Sequence, residues 1–428
     1  IYKEYGDHLY TIIQENPYKM TDDIAGVGFK IADEIAKKVG IGSNSDYRII
    51  SGIFYTLMRA LNEGHVFLPK RILCRNAAHI LGVTPEDIEE HLLEMMIDRK
   101  IVIEEDEETR VYAAPQYHME VNTARMLLDL NIHYDVSVSE VETMIAMIEE
   151  TEQITFAEKQ KEAIHAVAQD SIVVLTGGPG TGKTTTINGM IQYFEHEGLD
   201  IRLAAPTGRA AKRMTEATGY EAMTIHRMLE INGEADRERD MKKGNASMFE
   251  RNAGNPLETD VIIIDEMSMV DSCLFEAVLR AISVTCKLVL VGDSDQLPSV
   301  GAGNVLKDII DSGVMSVVTL KEIFRQAQES EIVMNAHKIV NGEHIDLASK
   351  DKDFFFMQRL EYGELQDLVV ELCKTRLPKA YDYSPIDDIQ VLSPTRKGPA
   401  GTVELNKRLQ QELNPPAAGK SEVKTPVY

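Results

Sequence analysis

The sequence predicts an α/β fold with a buried parallel sheet, preceded by smaller helical modules. Two observations favour this fold. From about residue 151, short apolar strands alternate with amphipathic helices, and such strands suit a parallel sheet covered on both faces. Before that point the pattern is helical with tight turns. The predicted strands are 172–175, 201–205, 261–264, 288–291 and 317–320.

Composition limits the class of protein. The chain has 428 residues, a net charge of −24, 43% hydrophobic and 27% charged residues, which excludes a disordered or fibrous chain. No apolar run reaches the roughly 18 residues of a membrane helix, and no secretory leader opens the sequence. We therefore expect no membrane partner and a cytoplasmic, bacterial-type location. The four cysteines are widely spread, which argues against a disulfide framework or a zinc site.

Residues 1–48 are predicted to form a helix–hairpin–helix region. Gly26 and Gly28 lie between apolar residues at helical spacing. Such a hairpin exposes backbone N–H groups that bind a DNA phosphate without reading the base sequence, and Lys30 adds a positive charge. The alternative is a plain helical turn. Binding must depend on such local geometry, because the acidic net charge argues against attraction by bulk charge.

The next segment, 49–115, is predicted to be a winged-helix-like module of three helices and a hairpin. Thr84 and Pro85 form a favourable helix start. The turn at 104–108 carries four glutamates and one aspartate, which would repel phosphate, so we interpret this module as structural or protein-contacting. Residues 116–150 are predicted to be a helical connector.

The first residues resemble a later helix end. IYKEYG at the start is similar to IAKKVG at 35–40, and each string reads as a helix closed by glycine. The second copy ends a complete unit, so we expect the first to end a unit whose beginning is missing. Chance similarity of helix ends is the alternative.

A phosphate-binding loop follows the first predicted strand of the sheet. The segment GGPGTGKT at 177–184 matches the P-loop pattern, with a strand before it and an amphipathic helix after it. Its glycines let the backbone wrap phosphates, Lys183 would bridge the β- and γ-phosphates, and Thr184 would bind Mg²⁺. The predicted nucleotide-binding residues here are Gly177, Gly178, Pro179, Gly180, Thr181, Gly182, Lys183, Thr184 and Thr185.

Two later strands end in polar residues suited to nucleotide hydrolysis. Asp265 is placed to hold the metal, and Glu266 to orient or deprotonate the attacking water. Gln296, in a turn after another strand, is a candidate sensor of the γ-phosphate or of that water. Gln160, upstream of the loop, is predicted to pair with adenine and select ATP; the alternative is an exposed helix residue.

Together these motifs resemble the RecD-like branch of superfamily 1B DNA helicases. The likeness covers about residues 151–410, and the N-terminal modules resemble the long stand-alone form, which works without nuclease partners. It implies a first RecA-like P-loop NTPase lobe at 151–345 and a partial second lobe at 346–428. The motifs, in the family's order, are GGPGTGKTT, LAAPTGRAAKRM, TIHRML, IIIDEMSMVD, VGDSDQLPSVGAG and LKEIFRQ.

The resemblance implies an ATP- and Mg²⁺-dependent helicase that moves 5′ to 3′ on single-stranded DNA in repair or recombination, with single-stranded and forked DNA as partners. Arg325 would be an arginine finger. Arg209, Lys212 and Arg213 lie beside the turn at Gly208, which follows a predicted strand. This position suits contacts to DNA phosphates. The alternative is that the three cations lie on an exposed helix face. The implied DNA contacts are Pro206, Thr207, Gly208, Arg209, His226, Ser393, Pro394, Thr395, Arg396 and Lys397.

Two further expectations come from the family pattern. The polar, charged segment 230–256 is expected to carry a pin that splits the duplex, and deleting 233–252 should abolish unwinding but spare hydrolysis. The family's Thr-x-His-x-x-Gln-Gly stretch and second arginine finger are not found after Arg408, so we expect slow hydrolysis or none from this chain.

Other functions remain open from the sequence. The same residues would serve a motor that remodels protein–DNA complexes, or an RNA helicase of the same superfamily. A non-enzymatic DNA scaffold is a third alternative, against which the intact catalytic set argues. No cluster of carboxylates lies outside the nucleotide site, so we expect no nuclease activity.

Overall fold

The computed structural model describes residues 5–24, 26–231, 249–348 and 352–416. The chain divides into two compact units. The first comprises 1–329 and 333–343, and the second comprises 330–332 and 344–428. All four cysteines lie in the described part and carry free thiols, as the sequence predicts.

The N-terminal region is helical, with a hairpin turn between two of its helices. Gly26 has φ of 89°, a backbone conformation that favours glycine. The next helix begins directly after Gly28, which is its N-cap. The helices are α1 (Leu9–Glu15), α2 (Met20–Asp23) and α3 (Phe29–Lys38), with 3₁₀ turns at Gly6–His8 and Pro17–Lys19.

The winged-helix-like module contains three helices and a three-stranded antiparallel sheet. Thr84 and Asp87 cap the third helix reciprocally, since each accepts a hydrogen bond from the other's backbone N–H. The predicted hairpin gains a third strand, which lies on the other side of the second hairpin strand. The elements are α4 (Asp46–Asn62), α5 (Lys70–Leu81), α6 (Pro85–Ile97), β1 (Phe67–Pro69), β2 (Ile101–Glu104) and β3 (Arg110–Ala113).

The centre of the first unit is a six-stranded parallel sheet. All five predicted strands are present, and one short strand that the sequence did not predict lies at an edge. The order is β6-β5-β7-β8-β4-β9. The strands are β4 (Ile172–Gly177), β5 (Ile201–Ala205), β6 (Ala222–Thr224), β7 (Val261–Ile264), β8 (Lys287–Gly292) and β9 (Ser316–Leu320).

Apolar cores cover both faces of this sheet. Alternate residues face opposite sides, so Val174 lies in one core and Leu175 in the other. The predicted connector supplies a helix to each face: Leu127 packs in the first core and Ile145 in the second. The helices are α7 (Ala114–Leu130), α8 (Val138–Glu152), α9 (Glu158–Gln169), α10 (Lys183–His196), α11 (Gly208–Thr218), α12 (Ile225–Met228), α13 (Ser272–Ala281), α14 (Val305–Ser312), α15 (Arg325–Gln328) and α16 (Glu331–Val340).

The second unit is helical over the residues that the structure describes, and no strand occurs among them. Leu392, in an apolar segment of this unit, is 82% exposed. A second RecA-like lobe therefore stays a prediction. The helices are α17 (Tyr362–Glu371), a π-helical turn at Leu372–Arg376, α18 (Leu377–Tyr381) and α19 (Thr402–Leu413).

Candidate nucleotide site and nucleic-acid face

The predicted P-loop connects β4 to α10 at the carboxyl edge of the sheet. Gly180 and Gly182 have φ of 74° and 82°, values that residues with a side chain rarely adopt. Gly182 is the N-cap of α10. The buried Thr181 hydroxyl donates to the Gly178 carbonyl at 2.8 Å and holds the loop closed. The loop thus presents a helix N-terminus, which favours a phosphate.

Lys183 lies across the loop that precedes it. Its Nζ donates to the carbonyls of Gly177 at 2.5 Å and Gly178 at 3.1 Å. Thr184 and Thr185 are exposed on the first turn of α10. The ammonium and the Thr184 hydroxyl are therefore on the same helical turn.

Two carboxylates follow β7, the second strand away from the loop. The Asp265 carboxylate accepts a hydrogen bond from the Glu266 backbone N–H at 2.8 Å. Burial raises the pKa of Asp265, and the positive charges of Lys183 and Arg213 only partly offset that effect. Burial and the neighbouring Asp265 charge raise the pKa of Glu266. The site therefore holds negative charge that a cation would stabilise.

Gln296 lies in the turn after β8, the strand between β7 and β4. The buried Asp293 organises this turn: its carboxylate accepts from the Asp295 N–H at 3.0 Å. The Gln296 N–H donates to the Asp293 carbonyl at 3.2 Å, and the Gln296 side chain is exposed. Its predicted role as a sensor remains a prediction.

Gln160 is buried, with 2% of its surface exposed. Its Oε1 accepts from the Ala157 N–H at 2.9 Å, and its Nε2 donates to the Gly182 carbonyl at 3.3 Å. The amide thus joins the start of α9 to the P-loop. It is not an exposed helix residue, and adenine selection stays a prediction.

The segment after β9 packs directly against the P-loop, a contact that the motifs did not predict. The Phe324 N–H donates to the Gly180 carbonyl at 3.3 Å. A Cβ at Gly180 would lie 2.5 Å from the Ala327 Cβ, and a Cβ at Gly178 would lie 2.6 Å from the His337 ring. These glycines are needed for close packing as well as for their dihedral angles. The Arg325 side chain lies outside what the structure describes.

The predicted DNA contacts of the first unit lie mainly at strand ends of the same sheet. Thr207 caps α11, because its hydroxyl accepts from the Ala210 N–H at 3.2 Å. Arg209 is exposed on the first turn of that helix. His226 follows β6, and its ring centroid lies 5.8 Å from that of Phe249. Pro206 and Gly208 flank the cap, and Gly26, Gly28 and Lys30 are exposed in the N-terminal hairpin.

The predicted contacts of the second unit form an exposed loop before α19. The Ser393 hydroxyl donates to the carbonyls of Thr395 at 3.1 Å and Ala400 at 2.8 Å, which closes the loop. Arg396 and Lys397 are exposed on it.

Most of the predicted pin, 232–248, lies outside the described residues. The chain on either side of it forms an antiparallel stem, in which Ile231 pairs with Phe249. Arg251 and Glu230 strengthen this stem with an ion pair of 2.9 Å. The segment therefore leaves and re-enters the first unit at one point.

Two models of known protein families match parts of this chain. A family model described as an AAA domain matches residues 155–354, and the model for the helix–hairpin–helix domain of ATP-dependent RecD2 DNA helicases matches residues 1–67. The chain is therefore similar to RecD2 DNA helicases over its N-terminal region and to AAA domains over the parallel sheet. The N-terminal match supports the hairpin interpretation and extends beyond the predicted limit at residue 48.

Two curated relatives are similar to this chain over longer stretches. The ATP-dependent RecD2 DNA helicase of Deinococcus radiodurans is 28% identical over 97% of this chain and 56% of its own length. The RecBCD enzyme subunit RecD of Mycolicibacterium smegmatis is 31% identical over 60% of this chain and 50% of its own. The chain therefore spans about half the length of these relatives.

A solved Pif1 helicase from Candida albicans matches 45% of this chain and 46% of its own at 24% identity, with a TM-score of 0.33. That likeness is too weak to support a statement about the site. Among the described residues, no helix is long and apolar enough to span a membrane.

Proposed function

We propose that the chain is the motor part of an ATP-dependent DNA helicase that moves 5′ to 3′ on single-stranded DNA in repair or recombination. One observation carries the proposal. A P-loop, a pair of half-buried carboxylates and a glutamine-bearing turn follow three neighbouring strands at one sheet edge. Neighbouring parallel strands bring such groups together at the crevice where α/β proteins bind ligands.

The site residues suit a magnesium–nucleotide complex. Asp265 and the Thr184 hydroxyl are oxygen ligands of the kind that Mg²⁺ prefers, and the metal would neutralise charge on the phosphates. When a nucleotide binds, the Lys183 ammonium would donate its hydrogen bonds to phosphate oxygens instead of to the carbonyls of the loop. Glu266 would orient or deprotonate the attacking water, a role that a raised pKa assists.

DNA is the proposed track. Exposed cations and backbone N–H groups at the ends of strands and helices favour contacts to phosphates rather than to particular bases. Arg209 and the hairpin at Gly26 and Gly28 are such groups. Forked DNA as the substrate, and a cytoplasmic location, remain parts of this proposal.

ATP hydrolysis with and without single-stranded DNA tests the proposal, on this chain and within the complete protein. We expect Lys183→Ala to remove DNA-stimulated hydrolysis, because the β- and γ-phosphates lose their cation. Lys307→Ala is the control, since Lys307 lies on an exposed helix face, where it pairs with Asp311 at 3.0 Å.

Assays with different nucleic acids distinguish the alternative functions. Stimulation by DNA and unwinding of a forked duplex support a helicase. Stimulation without unwinding favours a remodelling motor, and stimulation by RNA alone favours an RNA helicase. Hydrolysis that survives Lys183→Ala would contradict the proposed site.

A further inference from the structure

A large cleft lies outside the nucleotide site. This cleft of about 830 Å³ opens between the N-terminal hairpin, α4 and the end of α6. Its volume is within the range of about 300–1,000 Å³ that is typical of ligand pockets. Aromatic rings form its wall, and charged groups lie at its rim. We call it the aromatic cleft.

Three rings of this cleft form a ladder. The centroids of Tyr18 and Phe29 are 5.9 Å apart with 23° between the ring planes, and those of Phe29 and Tyr55 are 5.1 Å apart with 21°. This spacing is that of offset-stacked rings. Tyr18 and Phe29 are buried, but Tyr55 at the end of the ladder is only half-buried. Tyr47, on the same wall, is 53% exposed. The wall thus offers stacking surfaces that the protein does not use fully.

The rim carries three exposed cations, Lys19, Arg99 and Lys100. None of them forms an ion pair with a carboxylate that the structure describes. Two carboxylates, Glu94 and Asp98, also line the cleft. Carboxylates repel phosphates, but they accept hydrogen bonds from the amino groups of bases. Rings, cations and carboxylates together match a nucleotide whose base enters the cleft while its phosphate stays at the rim.

We propose that the aromatic cleft binds an unstacked base of single-stranded DNA. This inference rests on the proposed DNA function, and it adds a base-binding site far along the chain from the motor motifs. Gly28 lines the same cleft, so a strand whose phosphate contacts the hairpin has its base within reach of the rings. Base–aromatic stacking is tolerant of sequence, which suits a protein that moves along DNA.

The test uses a fluorescent reporter, because the sequence contains no tryptophan. A Tyr47→Trp substitution gives one indole on the cleft wall. Tyr10→Trp is the matched control, since Tyr10 is 77% exposed in α1 and does not line the cleft. We expect a short oligodeoxycytidylate to quench the first reporter saturably and to leave the second unchanged.

A second substitution tests the charge at the rim. Adding Lys100→Gln to the Tyr47→Trp reporter is expected to weaken binding and to lower the salt dependence of log K by about one phosphate contact. An unchanged salt dependence would count against the rim contact. Thermal melting of both variants checks that the module stays folded.

Several results would overturn the inference: equal quenching of both reporters, no quenching, equal quenching by blunt duplex DNA, or quenching by a lysine-rich peptide only. DNA-stimulated ATP hydrolysis is measured on the same samples. If stimulation persists while the Tyr47→Trp reporter is silent, only the aromatic cleft is refuted. If both are absent, the proposed DNA function fails as well.

Discussion

Glu266 shows how one residue of the site is held under strain. Its backbone φ of 55° is uncommon for residues other than glycine, asparagine and aspartate. Such strain costs on the order of 1–3 kcal/mol and persists where the surroundings fix it. Here the hydrogen bond from its N–H to the Asp265 carboxylate fixes the turn. The sequence predicts both carboxylates, but not this conformation.

The charged carboxylate of Asp265 is expected to lower the stability of the fold. Burial raises its pKa, so the charged carboxylate is less favourable in the folded protein than in the unfolded chain. We expect Asp265→Asn to raise the melting temperature by a few degrees while it removes Mg²⁺-dependent hydrolysis. The gain should shrink as the pH falls through the raised pKa, because the wild-type carboxyl then becomes neutral. Thermal melts between neutral and acidic pH measure this.

Asp129→Asn is the matched control for that substitution, because Asp129 is exposed on α7. It should leave both stability and hydrolysis unchanged. A melting temperature that falls in Asp265→Asn at every pH would mean that the carboxylate stabilises the fold, contrary to its raised pKa.

At the scale of elements, a buried ion pair fixes the hairpin region to the winged-helix-like module. The Arg48 Nε on α4 donates to the Asp33 carboxylate on α3 at 2.7 Å, and both side chains are about nine-tenths buried. The Tyr18 hydroxyl donates to the same carboxylate at 2.8 Å. Arg48 also donates to the carbonyls of Ser43 and Leu81. One guanidinium thus joins several elements.

Breaking this pair should destabilise the module. We expect Arg48→Met to cost about 3 kcal/mol at pH 7, because it leaves a buried carboxylate without its partner. Burial alone would raise the pKa of Asp33, but hydrogen bonds from Arg48 and Lys37 lower it to about 2. A lowered carboxyl pKa contributes stability that is present above about pH 4 and is lost as the pH falls towards 2. The cost of Arg48→Met should therefore shrink over that range.

Denaturant unfolding, followed by the emission of the Tyr47→Trp reporter on α4, measures the loss. Arg59→Met is the control on the same helix. Its pair with Glu63 is exposed, at 3.0 Å, and should contribute less than about 1 kcal/mol. Equal losses in the two variants would contradict the importance of the buried pair.

The sequence predicts elements well where an apolar run is long enough. The five long strands of the sheet are recognisable as apolar runs, whereas β1 and β6 have three residues each and too little pattern to detect. The P-loop is recognisable because its glycines and lysine have fixed spacing. Gln160 is different: its contacts join Ala157 to Gly182, 25 residues apart, and a contact between distant segments leaves no local signal.

At the scale of the whole molecule, two hydrogen bonds connect residues before the sheet of the first unit to segments that follow its strands. The Ser272 hydroxyl, after the carboxylate motif, donates to Glu120 on α7 at 2.9 Å. The Gly303 N–H, beyond Gln296, donates to the Gly64 carbonyl at 3.3 Å. Segments next to two nucleotide-site motifs therefore contact the connector helix α7 and the winged-helix-like module respectively, which spacing along the chain does not predict.

The charged insertion provides the last prediction. A deletion of 233–252 would also remove Phe249, which is 7% exposed, and Arg251, which pairs with Glu230. That change damages the core, so lost unwinding would have two explanations. Deleting 233–247 and joining the stem with two glycines keeps both residues, and two residues suffice for a hairpin turn. We expect this variant to lose unwinding of a forked duplex and to retain hydrolysis stimulated by single-stranded DNA.

The control for this deletion replaces 105–108, the acidic turn of the winged-helix-like module, with a short neutral turn. It changes another charged segment of the chain without touching the stem, and we expect unwinding to continue. Strand separation on a labelled fork, measured beside hydrolysis in the complete protein, distinguishes the two variants. If the 233–247 deletion unwinds as fast as the wild type, the segment is not the pin. If it loses hydrolysis as well, the insertion supports the nucleotide site instead, since its stem leads into β7, two strands from the strand that precedes the P-loop.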